Sequence, residues 1–466
     1  MSNYQWRQAL EVLTPMARYH SGPSMAEAYR ILINYYPEAK LFGYPAGDCC
    51  GTWEVPKGWQ VSTGKLTGPN GNVIADYNEH LLSVYSYSPS YRGTVTLDEL
   101  EEHLFSDPDR PDSILFHFRN QYRPWEKQWG FCIPHRIRDQ LLEGKYEVEI
   151  DTQFLDSEMQ MALQTHKGDS DESVLFIGHF DHPCQAGDGL IGCLAGHEAL
   201  NRLKGCNTRL TYRMLSSVEI VGSVFYAGRE ARKHCVREAM FLAMSGVDAP
   251  LVYASSASEC SNVDRIMAHL LKYANEEYSL DSFRGSVGND EIAYDVYGVD
   301  IPCGSLMRWP YQHYHTDSDT AEQIHDEQFE SYVQLLLRLI DVLENNAVLT
   351  GRLEGLPQLS HPDINLYLSP AGISGVAQTR DPVAEDLLGR LPDDTAREEA
   401  RCAAPQLNRL MTMLPPLADG KHTVLDIAER VGIPFALVSA YTDMWQEKGL
   451  LEKHWINPFV QERNSQ

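Results

Sequence analysis

The stretch Gly178 to Gly192, GHFDHPCQAGDGLIG, ends an apolar run that starts at Val174 and leads straight into an amphipathic stretch, Leu190 to Leu203. A buried strand that finishes in polar residues and gives way to a helix is the repeating unit of an α/β sheet, and ligands of such sheets sit at the carboxyl ends of the strands. The alternation continues outward. Strand-like runs at Tyr146 to Ile150, Leu210 to Leu215, Met240 to Met244 and Ile301 to Leu306 alternate with helical stretches such as Val263 to Ala274, and a long amphipathic helix over Asp326 to Asn345 closes the series. The pattern predicts an α/β fold, with a mostly parallel sheet flanked by helices.

On either side the texture differs. Residues up to about 40 read as a short helical entry, broken at Ser21, Gly22 and Pro23. From about 45 the chain is rich in Gly, Pro, Thr, Val and Tyr, with a Pro69-Asn70-Gly71 turn and an alternating run from Leu82 to Tyr87, which predicts a β-rich domain with one helix near Leu97 to Leu104. Trp53, Trp59, Trp125 and Trp129 are expected in its core rather than as a roof over a cleft. Near the other end, Val424 to Val431 and Phe435 to Glu447 read as two helices separated by Gly432, Ile433 and Pro434, a helix-turn-helix with a following wing. The expected organisation is residues 1–44 with 142–350 as the α/β domain, 45–141 as an inserted β-rich domain, 351–400 as a linker region and 401–466 as a winged helix.

Sixty-five acidic against 39 basic residues give a net charge of −26, which repels phosphate backbones and anionic lipid surfaces. The tail repeats the point, because Phe435 to Glu447 contains no Lys or Arg and residues 401–466 hold seven basic and seven acidic side chains. A DNA reader needs a basic face, so the winged helix is expected to make protein contacts, with homo-oligomerisation left open. No run of 18 apolar residues and no apolar signal-type core near Met1 is present, so no membrane span and a cytoplasmic location are expected. The ten cysteines form no two-residue-gap pair and are expected to be reduced, mostly buried thiols.

Four short segments carry chemistry. The first loop holds His179, Asp181, His182 and Asp188; Glu219 follows the strand Leu210 to Leu215; Gly288 to Glu291 supplies Asp290 and Glu291; and Tyr314 to Thr320, YHTDSDT, supplies His315. Imidazole and carboxylate from the ends of different elements form a ligand set that suits zinc. Glu219, Glu291 and Asp290 are the candidate proton acceptors, and Arg308 is a candidate clamp for a substrate carboxylate or an oxyanion. Serine and cysteine hydrolases are excluded, since neither a Gly-x-Ser-x-Gly elbow nor a cysteine paired with a placed base occurs.

These motifs resemble those of the zinc aminopeptidase and glutaminyl cyclase superfamily: His-x-Asp, an Asp before a helix, a Glu before a Gly-x-Gly-Ser, and Tyr-His-Thr-x-x-Asp-Thr. More narrowly the chain is similar to bacterial aminopeptidase-like proteins with an inserted β-domain and a C-terminal winged helix, through Trp129 to Cys132, Tyr146 to Val148, His182-Pro183, Glu219 to Ser223, Gly288 to Glu291 and the Tyr-His-Thr. The resemblance implies a zinc-exopeptidase-like fold, with Asp188 as central ligand, Glu219 as a further ligand and His315 as the ligand from the late loop. His179 fits the broad His-x-Asp and His182 the narrower His-Pro; His182 is preferred. Val218 stands where the superfamily carries its general base, which leaves that role to Glu219 or to a neighbour. Met240 to Gly246 lacks the Asp that two-metal relatives place there, so one zinc is expected rather than two. The implied activity is hydrolysis of a peptide or amide bond in a small peptide or aminoacylated intermediate. A single-zinc cyclotransferase or amide-processing biosynthetic enzyme, or a degenerate peptidase serving as a binding module, are the alternatives.

Overall fold

The computed structural model describes residues 5–375 and 381–459. The chain divides into two compact units, residues up to Ser261 with Tyr278–Gln334, and Asn262–Glu277 with residues from Leu335 on.

The first unit is built on an eight-stranded sheet in the order Lys40–Pro45, Glu158–His166, Thr211–Ser217, Ser173–His179, Val236–Leu242, Cys303–Arg308, Leu251–Ala254, Tyr278–Asp281. Its middle strands are parallel and its flanks carry antiparallel pairs. Every residue of Ser173–His179 is buried, as expected for a strand covered on both faces. The helix Leu190–Arg202 packs against it. Gly178 permits the approach, because a Cβ there would meet the Cys193 backbone nitrogen at 2.9 Å. The parallel register pairs Gly178 with Ser216 and His179 with Ser217, so the polar loops after both strands open side by side.

Lys40–Pro45 and Glu158–His166 are antiparallel neighbours, Pro45 opposite Glu158. The β-rich insert therefore emerges as one long excursion between two paired strands. It holds a four-stranded sheet in the order Val73–Asp76, Gly58–Thr67, Lys145–Leu155, Tyr91–Thr96. Here the structure departs from the sequence expectation: Tyr146 to Ile150 belongs to this sheet and not to the central one. The reason is its alternation. Tyr146, Val148 and Ile150 face a core while Lys145, Glu147 and Glu149 lie on the other side, which suits a sheet buried on one face only. Trp59 and Trp129 lie in the insert's core as expected, but Trp125 is 74% exposed.

The second unit contains the helices Pro382–Gly389, Asp394–Cys402, Leu407–Leu417, Val424–Val431 and Phe435–Glu447, and a three-stranded sheet in the order Asp419–Thr423, Ala347–Gly351, Leu451–Trp455. The two helices of the expected helix-turn-helix fall where the sequence placed them. Thr423 and Asp426 form a capping box at the first, and Gly432 at φ +82° ends it. The region expected as a linker is partly helical. Asp381 and Asp393 cap two short helices, and the second buries only Ala396 and Ala400, too little apolar signal to read from sequence. On the helix Phe435–Glu447 the exposed positions include Asp443 and Glu447, paired with Lys453 and Arg390.

Among the described residues no helix is long and apolar enough to cross a membrane. All ten cysteines are free thiols, but only Cys132, Cys193 and Cys303 are buried, fewer than expected, because Cys49 and Cys50 form a short two-stranded ribbon with Trp53–Glu54 and the others sit in loops, turns and a helix end.

Candidate metal centre

Four loops at the carboxyl side of the central sheet bring the sequence candidates together. Asp188 is placed by Asp319, whose two carboxylate oxygens accept the backbone N–H of Gly187 at 2.6 Å and of Asp188 at 2.9 Å, with the Tyr311 hydroxyl donating at 2.8 Å. The next residue has to be glycine: Gly189 has φ +90°, and a Cβ there would lie 2.1 Å from the His179 ring. Oδ2 of Asp188 and Nε2 of His315 approach to 2.7 Å, yet neither atom, both buried, takes part in a hydrogen bond among the described residues. Nε2 of His182 stands 3.6 Å from the same Oδ2 and 3.5 Å from Oε2 of Glu219, too far for hydrogen bonds. Its Nδ1 is buried without a partner.

His179 is differently placed. Its Nε2 lies 3.1 Å from Oδ1 of Asp188, and its Nδ1 lies 3.1 Å from Oδ1 of Asn289 and 3.4 Å from Oδ2 of Asp290. Both ring nitrogens are thus engaged. Donor atoms of His179, His182 and Asp188 lie within 4.8 Å of one another, a cluster able to hold a cation.

Three residues here hold the left-handed backbone conformation that non-glycine residues rarely adopt: His182 (φ +90°), Ile220 (φ +55°) and His315 (φ +56°). Each is held by a hydrogen bond from elsewhere. The buried Arg18 guanidinium donates to the carbonyls of His182, Phe180 and Gln185 at 2.8, 2.9 and 2.6 Å, and also to that of Leu13. The Ile220 N–H donates to Oδ1 of Asp290 at 3.0 Å. The Phe116 N–H, from the insert, donates to the His315 carbonyl at 3.0 Å. The insert grips the His315 loop further: Leu115 bridges Thr316, the Ile114 N–H donates to Asp317, and Arg110 donates to the Tyr314 carbonyl.

Burial dominates the electrostatics. Desolvation raises the carboxyls of Asp181, Glu219 and Asp319 each to about 7, and it pushes His182 well below its ordinary value, leaving a neutral imidazole. Burial alone would raise Asp188 too, but His182 and His315 beside it hold it well below the usual range. For His179 burial opposes the charge, while hydrogen bonds to Asp188 and Asp290 outweigh it and raise the group well above the usual range. His315 and Glu219 each keep 15% side-chain exposure where Asp188 and His182 keep 1%, so the cluster is open to ligands on that side.

Two candidates are not brought to this cluster. Arg308 ends a strand and donates to the carbonyls of Ala249 and Gln328; it braces the fold, because its side chain leaves the sheet on the side of those carbonyls. Glu291 accepts the Asn289 N–H and pairs with Arg284 at 2.8 Å, so its carboxylate is absorbed by its own turn. Asp290 does join, through His179 and Ile220. Residues the sequence did not single out complete the surroundings: Arg18, His20 at 3.3 Å from Asp181, Tyr122, whose hydroxyl donates to Oε2 of Glu219, and Phe116 and Phe118. The Phe116 ring meets His182 and His315 edge-on at 5.0 and 5.4 Å, and Phe118 meets His315 at 5.2 Å. Asp319, a member of the YHTDSDT motif, carried the one sequence signal for this supporting layer.

Over residues 7–346 the sequence matches a family described as a domain of unknown function, DUF4910, and over residues 382–453 a winged helix-turn-helix family. A Clostridium acetobutylicum protein, provisionally named for polysaccharide biosynthesis and an aminopeptidase-like domain, is 25% identical over 447 residues, 95% of either chain. A solved structure from the same organism, provisionally named a peptidase, aligns with TM-score 0.77 and 23% identity over 96% of both chains. BSAP, a zinc aminopeptidase from Bacillus subtilis, aligns with TM-score 0.54 and 12% identity over 72% of this chain and 93% of its own. A peptidase M28 precursor from Shewanella amazonensis aligns with TM-score 0.54 and 13% identity over 76% and 95%. The expected aminopeptidase-like α/β fold with a C-terminal winged helix is borne out.

Proposed function

The chain belongs to the DUF4910 family, and from its aminopeptidase-like fold and the geometry of its polar cluster we propose that it is a metal-dependent amide hydrolase of aminopeptidase type, acting on a small peptide or an aminoacylated intermediate. The observation that carries this reading is the meeting of Nε2 of His182, Oδ2 of Asp188 and Nε2 of His315, of which the Asp188 and His315 atoms are buried and hydrogen-bond to nothing among the described residues. Such atoms cost free energy unless a cation or a proton satisfies them. A neutral imidazole and an ionised carboxylate are the forms a metal requires. The 3.6 Å separation of His182 from Asp188 is near the edge, about 3.3 Å, of a tetrahedron with ~2.0 Å bonds, and the 2.7 Å between Asp188 and His315 is shorter than that edge. We take these three as the ligands of one zinc ion. Zinc bound there supplies a Lewis acid for a carbonyl and lowers the pKa of water to about 7.

The chain's own residues divide the remaining work. Glu219 accepts the proton of the attacking water and returns it to the leaving amine, a role suited to a carboxyl raised by burial to about 7. His179 has both nitrogens occupied and orients Asp188 rather than ligating; Asp290 holds His179 and the main chain beside Glu219. Phe116, buried against His182 and His315, excludes water and strengthens the charge interactions beside it. The run from Val236 to Gly246 offers no carboxylate at its carboxyl end, which favours one ion. The ion-paired, acidic outer positions of Phe435–Glu447 favour a protein contact over DNA for the winged helix.

The name of the Clostridium relative favours a second reading of the same site, an amide-processing step on a biosynthetic intermediate. Both readings are tested by metal content of the full-length protein. One equivalent of zinc, lost in His315→Ala and Asp188→Ala, supports the site; product masses from aminoacyl and glutaminyl substrates then separate hydrolysis from cyclisation. No metal after zinc reconstitution overturns both.

A further inference from the structure

The main chain and the side chain of Glu219 are fixed by different parts of the protein. Its N–H donates to Oδ1 of Asp181 at 2.8 Å, and the next N–H, of Ile220, donates to Oδ1 of Asp290. The backbone is therefore pinned on both sides, and only side-chain torsions decide where the carboxylate goes. Within 3.5 Å of Nε2 of His182, that carboxylate is near enough to become a fourth protein ligand. Val218 before it supplies no second carboxylate, so if Glu219 ligated, this loop would hold no proton acceptor.

One hydrogen bond addresses this choice. The Tyr122 hydroxyl donates to Oε2 of Glu219, while no hydrogen bond reaches Oε1 among the described residues. Tyr122 comes from the insert, 97 residues away in sequence. Its ring is wedged edge-on between Phe118 at 6.0 Å and His20 at 5.6 Å. The turn that carries it is tied by Glu126, which pairs with Arg119 at 2.9 Å and Arg123 at 3.0 Å, and by Asn120 donating to the Gln128 carbonyl at 2.8 Å. A hydroxyl held this firmly selects among the rotamers of a flexible carboxylate.

We propose that Tyr122 is a positioning residue: by donating to Oε2 it holds Glu219 beside the ligand set as a proton acceptor and keeps it from joining that set. This rests on the ligand reading above, with His182, Asp188 and His315 as the metal-binding residues. The insert then contributes to the chemistry itself, by keeping a coordination position available to substrate.

The test uses full-length protein stripped by chelator and reloaded with cobalt(II) or zinc, as wild type, Tyr122→Phe, Glu219→Gln and the double variant. In Tyr122→Phe the freed carboxylate moves onto the metal as a fourth protein ligand, so the cobalt visible spectrum changes and zinc binds more tightly than in wild type in a chelator competition. Both changes disappear in the double variant, which has no carboxylate to move. A Tyr122→Phe protein with the wild-type spectrum and affinity overturns the proposal, as does a change that persists in the double variant. A hydroxyl serving only to tether the insert would lower the melting temperature and leave the spectrum as it was. Wild-type protein that binds no cobalt, or keeps it in His182→Ala and His315→Ala, overturns the ligand reading and this inference with it, and so is told apart from a failure of Tyr122 alone.

Discussion

Replacing Asp181 with asparagine should stabilise the metal-free protein at alkaline pH, against the usual expectation for a buried polar residue. Asp181 is fully buried; Oδ1 accepts the Glu219 N–H at 2.8 Å, and Oδ2 lies 3.3 Å from Nε2 of His20. His20 is itself held neutral by burial, at about 3, and gives the carboxylate no charge partner. Burial therefore raises the Asp181 carboxyl from 3.8 to about 7. The unfolded chain releases this proton near 3.8, whereas the folded chain holds it to about 7. The folded state binds more protons in between, so stability falls as pH rises through that window and stays low above it. At ~1.4 kcal/mol per pH unit the loss reaches about 4 kcal/mol above pH 7 and vanishes below the lower value. Asparagine keeps an acceptor for the Glu219 N–H and never ionises. Urea unfolding of chelator-treated full-length protein, followed by tryptophan fluorescence, should place Asp181→Asn about 4 kcal/mol above wild type at pH 8 and level with it at pH 4. Asp181→Ala, which strands the Glu219 N–H, should fall about 1–3 kcal/mol below the asparagine variant at both. A wild type at pH 8 as stable as Asp181→Asn would refute the reasoning, since it would mean the carboxylate ionises in the fold without penalty.

Three further outcomes follow from the same structure. His197 is buried between Gln164 and Ser216, at 2.7 and 2.8 Å, and burial lowers it to about 3; the unfolded chain takes a proton below about 6.5 that the fold refuses, so stability drops on acidification, by about 2 kcal/mol at pH 5. His197→Gln should flatten that acid limb in urea titrations at pH 5 and 8, and an unchanged limb would contradict it. Phe116→Ala should cost about 3–5 kcal/mol and speed zinc release to a chelator, while an unchanged release rate would remove its role as a wall of the site. Arg308→Met and Glu291→Gln should retain wild-type metal stoichiometry by elemental analysis, and loss of metal in either folded variant would return that residue to the site.

What was legible in the sequence was whatever is local. Asp188, His182 and His315 lie in loops that begin where a buried strand ends, and the polar residues at those ends announce themselves against apolar runs. Ser173–His179 is buried throughout and reads as a central strand for that reason, whereas Lys145–Leu155 alternates and belongs to a different sheet. Arg308 misled because a strand-end arginine has the same spelling whether it faces a cleft or the underside of the sheet. Glu291 misled because a carboxylate two residues after an N–H that it can accept becomes a cap. Arg18, Phe116 and Tyr122 reach the site from segments with no motif of their own, and nothing along the chain signals contacts made across 97 residues or more.

Those distant residues explain why the insert sits where it does. A left-handed backbone at a non-glycine residue costs about 1–3 kcal/mol, and His182, Ile220 and His315 carry three such costs at the loops that aim the proposed ligands and Glu219. Each is offset by a hydrogen bond whose donor or acceptor lies outside its own loop: Arg18 from the entry segment, Asp290 from the late turn, and the Phe116 N–H from the insert. An insert appended at a chain end would be free to drift from the His315 loop. Emerging instead between two antiparallel neighbours, Lys40–Pro45 and Glu158–His166, it is anchored at both ends to the same sheet whose strand Ser173–His179 leads into the loop of His182 and Asp188. Its contacts to the His315 loop and to Glu219 therefore close a loop of rigid connections, and the aim of the proposed ligands is set by the insert as much as by the sheet.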